Sequence, residues 1–296
     1  MHRIKKVMVK YFGNDLVCFN YMAIVALGLL VSPVSFGQSF LSVSVGVDEH
    51  SSHSEAVTYQ YYDASSTKAV LYGSKSDDTV SGSDLSSSTW GGEFSLSAND
   101  TVDLGVGFER WGNSGDFTIQ TTNLVLGISA EQWQISIKPR IQNVKVITGR
   151  TGALFEKLER GIDSRGITIR MAYEATERMS YSLFYSKSSY DWDFSNFDLN
   201  ARPQLAQVFS PVTINLSQGL EDYSYGVDLS YYFDRVLVGA DWIQSRSVVT
   251  SGKTDTLVGY GSFEINDDWN VGADIGAQTS SGSNTSFASI NLGYSW

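Results

Sequence analysis

The chain has 296 residues, a formal net charge of −11 and a single cysteine, Cys18. So acidic a chain is a poor partner for nucleic acid or anionic phospholipid by charge alone. Four prolines against 27 glycines, 16 tyrosines and 7 tryptophans favour strands over helices.

The first element reads as a leader. Arg3, Lys5, Lys6 and Lys10 give a positive start, and Met22 to Val31 (MAIVALGLLV) is an uncharged apolar run too short to span a bilayer comfortably. Small residues at Ser35 and Gly37 follow, so residues 1–37 are expected to be a signal peptide cleaved after Gly37. Cleavage removes four bases and one acid, Asp15, which takes the formal charge from −11 to −14. Cys18 leaves as well, so disulfides and thiolate metal sites are excluded from the mature chain.

From residue 38 onward, apolar residues recur at every second position, the period of strands whose two faces meet different surroundings. Leu41, Val43, Val45 and Val47 begin the series, and Trp90, Phe94 and Leu96 lead through Asn99-Asp100 into Val102, Leu104, Val106 and Phe108. Leu124, Leu126 and Ile128 turn at Ala130-Glu131 into Trp133, Ile135 and Ile137, and Ile167, Ile169, Met171 and Tyr173 turn into Tyr181, Leu183 and Tyr185. Tyr223 to Phe233 turns at Asp234-Arg235 into Val236 to Trp242; Leu257, Phe263 and Ile265 turn at Asn266-Asp267 into Trp269, Val271, Ala273 and Ile275. Residues 284–296 close the chain.

The pattern predicts strands at 40–48, 55–62, 68–74, 88–98, 101–111, 116–129, 132–146, 164–175, 179–190, 222–234, 236–248, 254–266, 269–279 and 284–296. The second and third alternate least clearly, so twelve strands is the alternative to fourteen. Joins alternate between tight (63–67, 99–100, 130–131, 176–178, 234–235, 267–268) and mostly longer (49–54, 75–87, 112–115, 147–163, 191–221, 249–253, 280–283). Such alternation suits an up-and-down barrel with both chain ends at the short-turn rim.

The residue types on each face separate a membrane barrel from a soluble one. On the apolar parity, Trp133, Tyr181, Phe233, Trp269 and Trp296 lie nearest the short turns, and Tyr223, Tyr225, Phe108, Trp242 and Phe287 are expected to form a second aromatic belt. The other parity is too polar for a dry core: Ser95, Ser97, Gly105, Gly107, Ser136, Ser182, Ser224, Gly226, Ser230, Gly276 and Asn291.

The final strand, Ala288, Ile290, Leu292, Tyr294 and Trp296, is apolar at every second position and stops on an aromatic residue. Here the chain resembles the bacterial outer-membrane β-barrel proteins, along the whole of residues 38–296. The resemblance implies an all-β, single up-and-down antiparallel transmembrane barrel integral to the outer membrane with both termini periplasmic. It also implies that the closing strand is the signal read by the barrel-assembly machinery, with Trp where Phe is commoner.

No catalytic constellation emerges. Outside the leader there are two histidines, His50 and His53, both expected in the first surface loop. With Asp48 and Glu49 they form an unspecific set that would hold a divalent metal weakly, so no metal site, cofactor or enzymatic activity is assigned. The inward parity carries Glu93, Asp103, Glu109, Glu174, Asp228, Asp241, Glu264 and Asp274, with bases Lys138, Arg140 and Arg170 on two neighbouring strands. Carboxylates around a lumen favour cations. These eleven residues are the expected pore lining of a porin-like channel for passive diffusion of small hydrophilic solutes or ions, with outer-membrane lipid as its surroundings. The alternatives are a closed barrel acting through its loops as an adhesin or receptor, and a solitary autotransporter-like barrel. Residues 152–160 have short-helix character, and one of the long segments, 152–160 or 193–220, is expected to fold over or into the lumen.

Overall fold

The structure is a computed structural model and describes residues 38–49, 52–63, 67–80, 83–112, 117–148, 158–191, 220–248, 251–280 and 283–296. The alternating segments form fourteen strands: β1 (Gln38–Asp48), β2 (His53–Tyr62), β3 (Thr67–Val80), β4 (Ser83–Ser97), β5 (Val102–Gly112), β6 (Phe117–Ala130) and β7 (Trp133–Thr148) in the first half. β8 (Leu158–Thr176), β9 (Met179–Tyr190), β10 (Glu221–Phe233), β11 (Val236–Ser247), β12 (Lys253–Glu264), β13 (Trp269–Ser280) and β14 (Ser283–Ser295) make the second. Each strand pairs antiparallel with its neighbour in sequence, and β14 pairs with β1 to close the barrel. Trp296 finishes that closure: its N–H donates to the Ser39 carbonyl and its carbonyl accepts from the Ser39 N–H, both at 3.0 Å. A closed barrel leaves no sheet edge unpaired, which is what a strand protein needs in hydrocarbon.

Tight turns at one rim are built by local side-chain chemistry. The Asn99 side-chain oxygen accepts from the Thr101 and Val102 N–H groups at 2.8 and 2.9 Å, and Asn266 does the same for Asp268 and Trp269 at 3.0 and 2.9 Å. Between β10 and β11, Asp234 adopts a φ of 49°, a left-handed turn conformation that Asp tolerates.

Strands extend further at the opposite rim than the alternation predicts. The expected loop 75–87 is largely strand: β3 runs to Val80, β4 starts at Ser83, and the register continues through Asp77↔Ser86 to Val80↔Ser83. Apart from Val80 and Leu85 those residues are polar or glycine, so pairing persists where the hydrophobic alternation has ended. For the same reason Leu158–Arg160 belongs to β8 rather than to a short helix, and His53 opens β2 instead of lying in a loop. His50, residues 152–157 and nearly all of 193–220 lie outside the described residues, as do the leader and the expected folding-in of a long segment.

The outer face is apolar, with Val45, Leu124, Ile141, Ile275 and Ile290 among its most exposed members. Near the short turns, rings touch in sequence around it. Trp133 lies 4.3 Å from Tyr173, Tyr173 stacks 5.9 Å from Tyr181, Trp269 sits 4.6 Å from Tyr294, and Tyr294 stacks 5.4 Å from Trp296. A second level carries Trp90 against Phe108 at 5.6 Å and Tyr225 against Trp242 at 5.7 Å. Phe287 does not belong to it. Its register partners are Gly276 and Asp48 on the inner face, where its ring occupies the space left by Gly276.

Candidate functional site

All eleven expected lining residues fall on inner-face register positions, but their charges are organised differently around the wall. Along β3 to β8 most meet a partner. Lys138 Nζ on β7 donates to Glu93 Oε2 on β4 at 2.6 Å, a bond that crosses the width of β5 and β6 and so runs inside the barrel. Asp103 Oδ2 accepts from Lys68 Nζ at 2.8 Å, and its Oδ1 accepts from the Ser97 hydroxyl at 2.5 Å. Lys68 is an inward base that the sequence reading missed, so the bases are not confined to two strands.

Glu109 on β5 accepts a 2.6 Å bond from the Tyr72 hydroxyl on β3, whose ring lies over Gly91 of the intervening strand. A Cβ at Gly91 would stand 2.7 Å from the Tyr72 ring, so a side chain there would push the ring away from the acid. Arg140 is buried, donates from Nη2 to Ser188 Oγ at 2.7 Å, and leaves Nε without a partner. It lies within electrostatic reach of Glu109 and Glu221. The Arg170 guanidinium stands 5.8 Å over the Phe184 ring. Glu174 and Glu264 sit near the short-turn rim, exposed.

Along β10 to β13 the inner face is acidic without bases. Asp228 and Asp241 are direct register partners on adjacent strands, an arrangement in which like charges repel. Asp228 accepts a 2.6 Å bond from the Tyr260 hydroxyl, which reaches over Gly239 of β11, and Asp274 accepts from Ser289 Oγ at 2.5 Å. Among the described residues no ion pair reaches Asp228, Asp241 or Asp274.

A cavity of about 440 Å³ opens on this side, bounded by β1 to β5 and β10 to β14 and lined by Ser44, Ser74, Thr256, Asp274 and Gln278 among others. No described residue of β6 to β9 lines it. Near the longer connections one buried apolar row crosses the inner face of β5 to β8, Trp111, Ile119, Val144 and Ile162, with Trp111 at the cavity's edge. These inward apolar residues, with Tyr72, Tyr260 and Phe287, escaped the sequence reading because it assigned large apolar side chains to the outside.

No protein-family model matches the chain, and no curated protein is similar to it in sequence. Among solved structures, a monoaromatic hydrocarbon channel, CymD, superposes with a TM-score of 0.54 at 8% identity over 91% of this chain and 92% of its own. The Acinetobacter baumannii outer membrane protein Omp33 superposes with a TM-score of 0.51 at 11% identity over 88% and 98%. The fold is that of bacterial outer-membrane β-barrels. An outer-membrane barrel fold explains why the apolar side chains face outward and the charges inward, the reverse of a soluble barrel.

Proposed function

We propose that the protein is an outer-membrane channel through which small hydrophilic solutes diffuse, with a preference for cations. The carrying observation is the inner face of β10 to β13, where Asp228, Asp241 and Asp274 have no ion-pair partner among the described residues and Asp274 borders the cavity. Carboxylates held in a low-dielectric wall concentrate cations and repel anions. On this reading Glu93, Asp103, Glu109, Lys138, Arg140, Arg170, Glu174, Asp228, Asp241, Glu264 and Asp274 line the path. Lys138 and Arg140 stand on the opposite wall, where Lys138 is paired with Glu93, and neither catalysis nor a cofactor is required.

The same proposal puts both chain ends on the periplasmic side, because the described chain enters and leaves at the rim of tight turns. Residues 1–37 would serve as the cleaved leader, and Ala288, Ile290, Leu292, Tyr294 and Trp296 as the address read by the assembly machinery.

Planar-bilayer recording tests the channel. In a salt gradient the reversal potential should take the sign of a cation-selective pore; anion preference, or no conductance from correctly folded protein, would reject the proposal.

A further inference from the structure

Outside the barrel, the register assembles basic residues that are scattered in sequence. On the outer face, Lys187 of β9 pairs with Tyr223 of β10, Tyr223 with Arg246 of β11, and Arg246 with Lys253 of β12. These four form one row of direct neighbours spanning three strand spacings, about 14 Å. Arg165 of β8 joins the end of the row, opposite Ser189 and two residues from the Ile167 that pairs with Lys187.

The row stands at the edge of the apolar band. The next row toward the short-turn rim holds Tyr185, Tyr225, Gln244 and Asp255, and the one beyond holds Leu183, Val227, Trp242 and Leu257. Tyr223 and Tyr225 stack at 6.2 Å with planes 14° apart, making an aromatic ledge between the apolar wall and the cations.

Four acids share this area. Asp222 lies 3.8 Å from Arg246, Asp255 accepts from Gln244 Nε2 at 2.8 Å, Asp163 accepts from Asn143 Nδ2 at 2.8 Å, and Asp191 accepts from the Asp163 N–H at 3.0 Å. Among the described residues no carboxylate is within ion-pair distance of Arg165, Lys187 or Lys253. The corresponding outer face of β2 and β3 is different: Glu55 opposes Lys75, His53 opposes Asp77, and Lys75 bonds Asp77 at 2.9 Å.

We infer that the Arg165, Lys187, Arg246 and Lys253 row binds the phosphorylated headgroup of an outer-leaflet glycolipid, with its acyl chains along Leu183, Val227, Trp242 and Leu257. Charge complementarity at the headgroup level supports this. Cations beside an aromatic ledge, directly beyond a lipid-facing apolar wall, meet phosphate in a bilayer whose headgroups carry it. A whole-chain charge of −11 hides the feature, because acids such as Glu93, Asp103, Asp228, Asp241 and Asp274 face inward. The inference rests on the outer-membrane placement proposed above.

The test uses the full barrel purified from membranes in detergent, with lipid retention read by native mass spectrometry. Diphosphoryl lipid A should be retained far more than its dephosphorylated form or phosphatidylglycerol. The triple variant Lys187→Gln, Arg246→Gln, Lys253→Gln should lower that retention on the order of tenfold or more, since each surface cation contributes to phosphate attraction. The charge-keeping variant Lys187→Arg, Arg246→Lys, Lys253→Arg should hold it, and Arg178→Gln with Arg235→Gln at the opposite rim should leave it unchanged.

Equal retention of phosphatidylglycerol or dephosphorylated lipid A, or undiminished retention by a triple variant that still shows the heat-dependent gel shift of a folded barrel, would overturn the site. Density-gradient fractionation tests the outer-membrane placement separately, so the two failures are distinguishable.

Discussion

The inner faces of β3 to β8 and of β10 to β13 are built from the same strand pattern, yet they treat charge in opposite ways. In the first, Lys138 bonds Glu93 and Lys68 bonds Asp103. In the second, Asp228 and Asp241 face each other; the Tyr260 hydroxyl donates to Asp228, and Arg170 reaches Asp241 through its field without forming an ion pair. Both sides use a tyrosine lying over a glycine to reach an acid two strands away, Tyr72 to Glu109 and Tyr260 to Asp228. The difference is direct pairing with bases, and on the channel reading proposed above selectivity would follow from which acids stay unpaired rather than from how many there are.

The strongest way to break this contrast is to neutralise the uncompensated side. Asp228→Asn with Asp241→Asn should lower the cation-to-anion permeability ratio by roughly severalfold, because it removes two of the carboxylates that form no ion pair among the described residues. Reversal potentials in a salt gradient would measure it. Removing a like-charged register pair should leave the folded barrel's heat stability equal or higher.

A smaller effect comes from making the paired side resemble the other. Lys138→Gln releases Glu93 and should raise cation preference, by about twofold or less, since only one net charge changes in a wall that already holds many. A shift toward anions would contradict the electrostatic account.

The smallest effect is expected at Lys68→Met. Lys68 is 46% exposed, and screening by solvent leaves such a pair worth about 1 kcal/mol or less. The unfolding midpoint should barely move, and a large loss of stability would show that the pair is a structural link rather than a surface contact.

Several elements were legible in the residues alone. Alternation located all fourteen strands, including the second and third, and Asn99 and Asn266 marked tight turns by their capacity to cap the backbone. The inward acids followed from parity. Phe287 was equally legible: it lies on the parity opposite to Ala288 and Trp296, and assigning it by aromatic type instead of by position put it in the wrong belt. The segment from Lys75 to Ser87 was not legible, because strands that rise beyond the apolar band keep their hydrogen bonds while losing their hydrophobic period. Lys68 was missed because β3 alternates poorly.

What the sequence determined by itself is the two-faced character of each strand, since a period of two commits every side chain to one side or the other once pairing begins. It also marked the closing strand, whose Trp296 completes the ladder with Ser39. Only the tertiary structure decided which charges meet. Lys138 and Glu93 are 45 residues apart and come together only because closing the sheet brings separate strands to face each other inside. The basic row on the outer wall has the same origin: register, a property of paired strands, aligned Lys187, Arg246 and Lys253 where no local pattern links them.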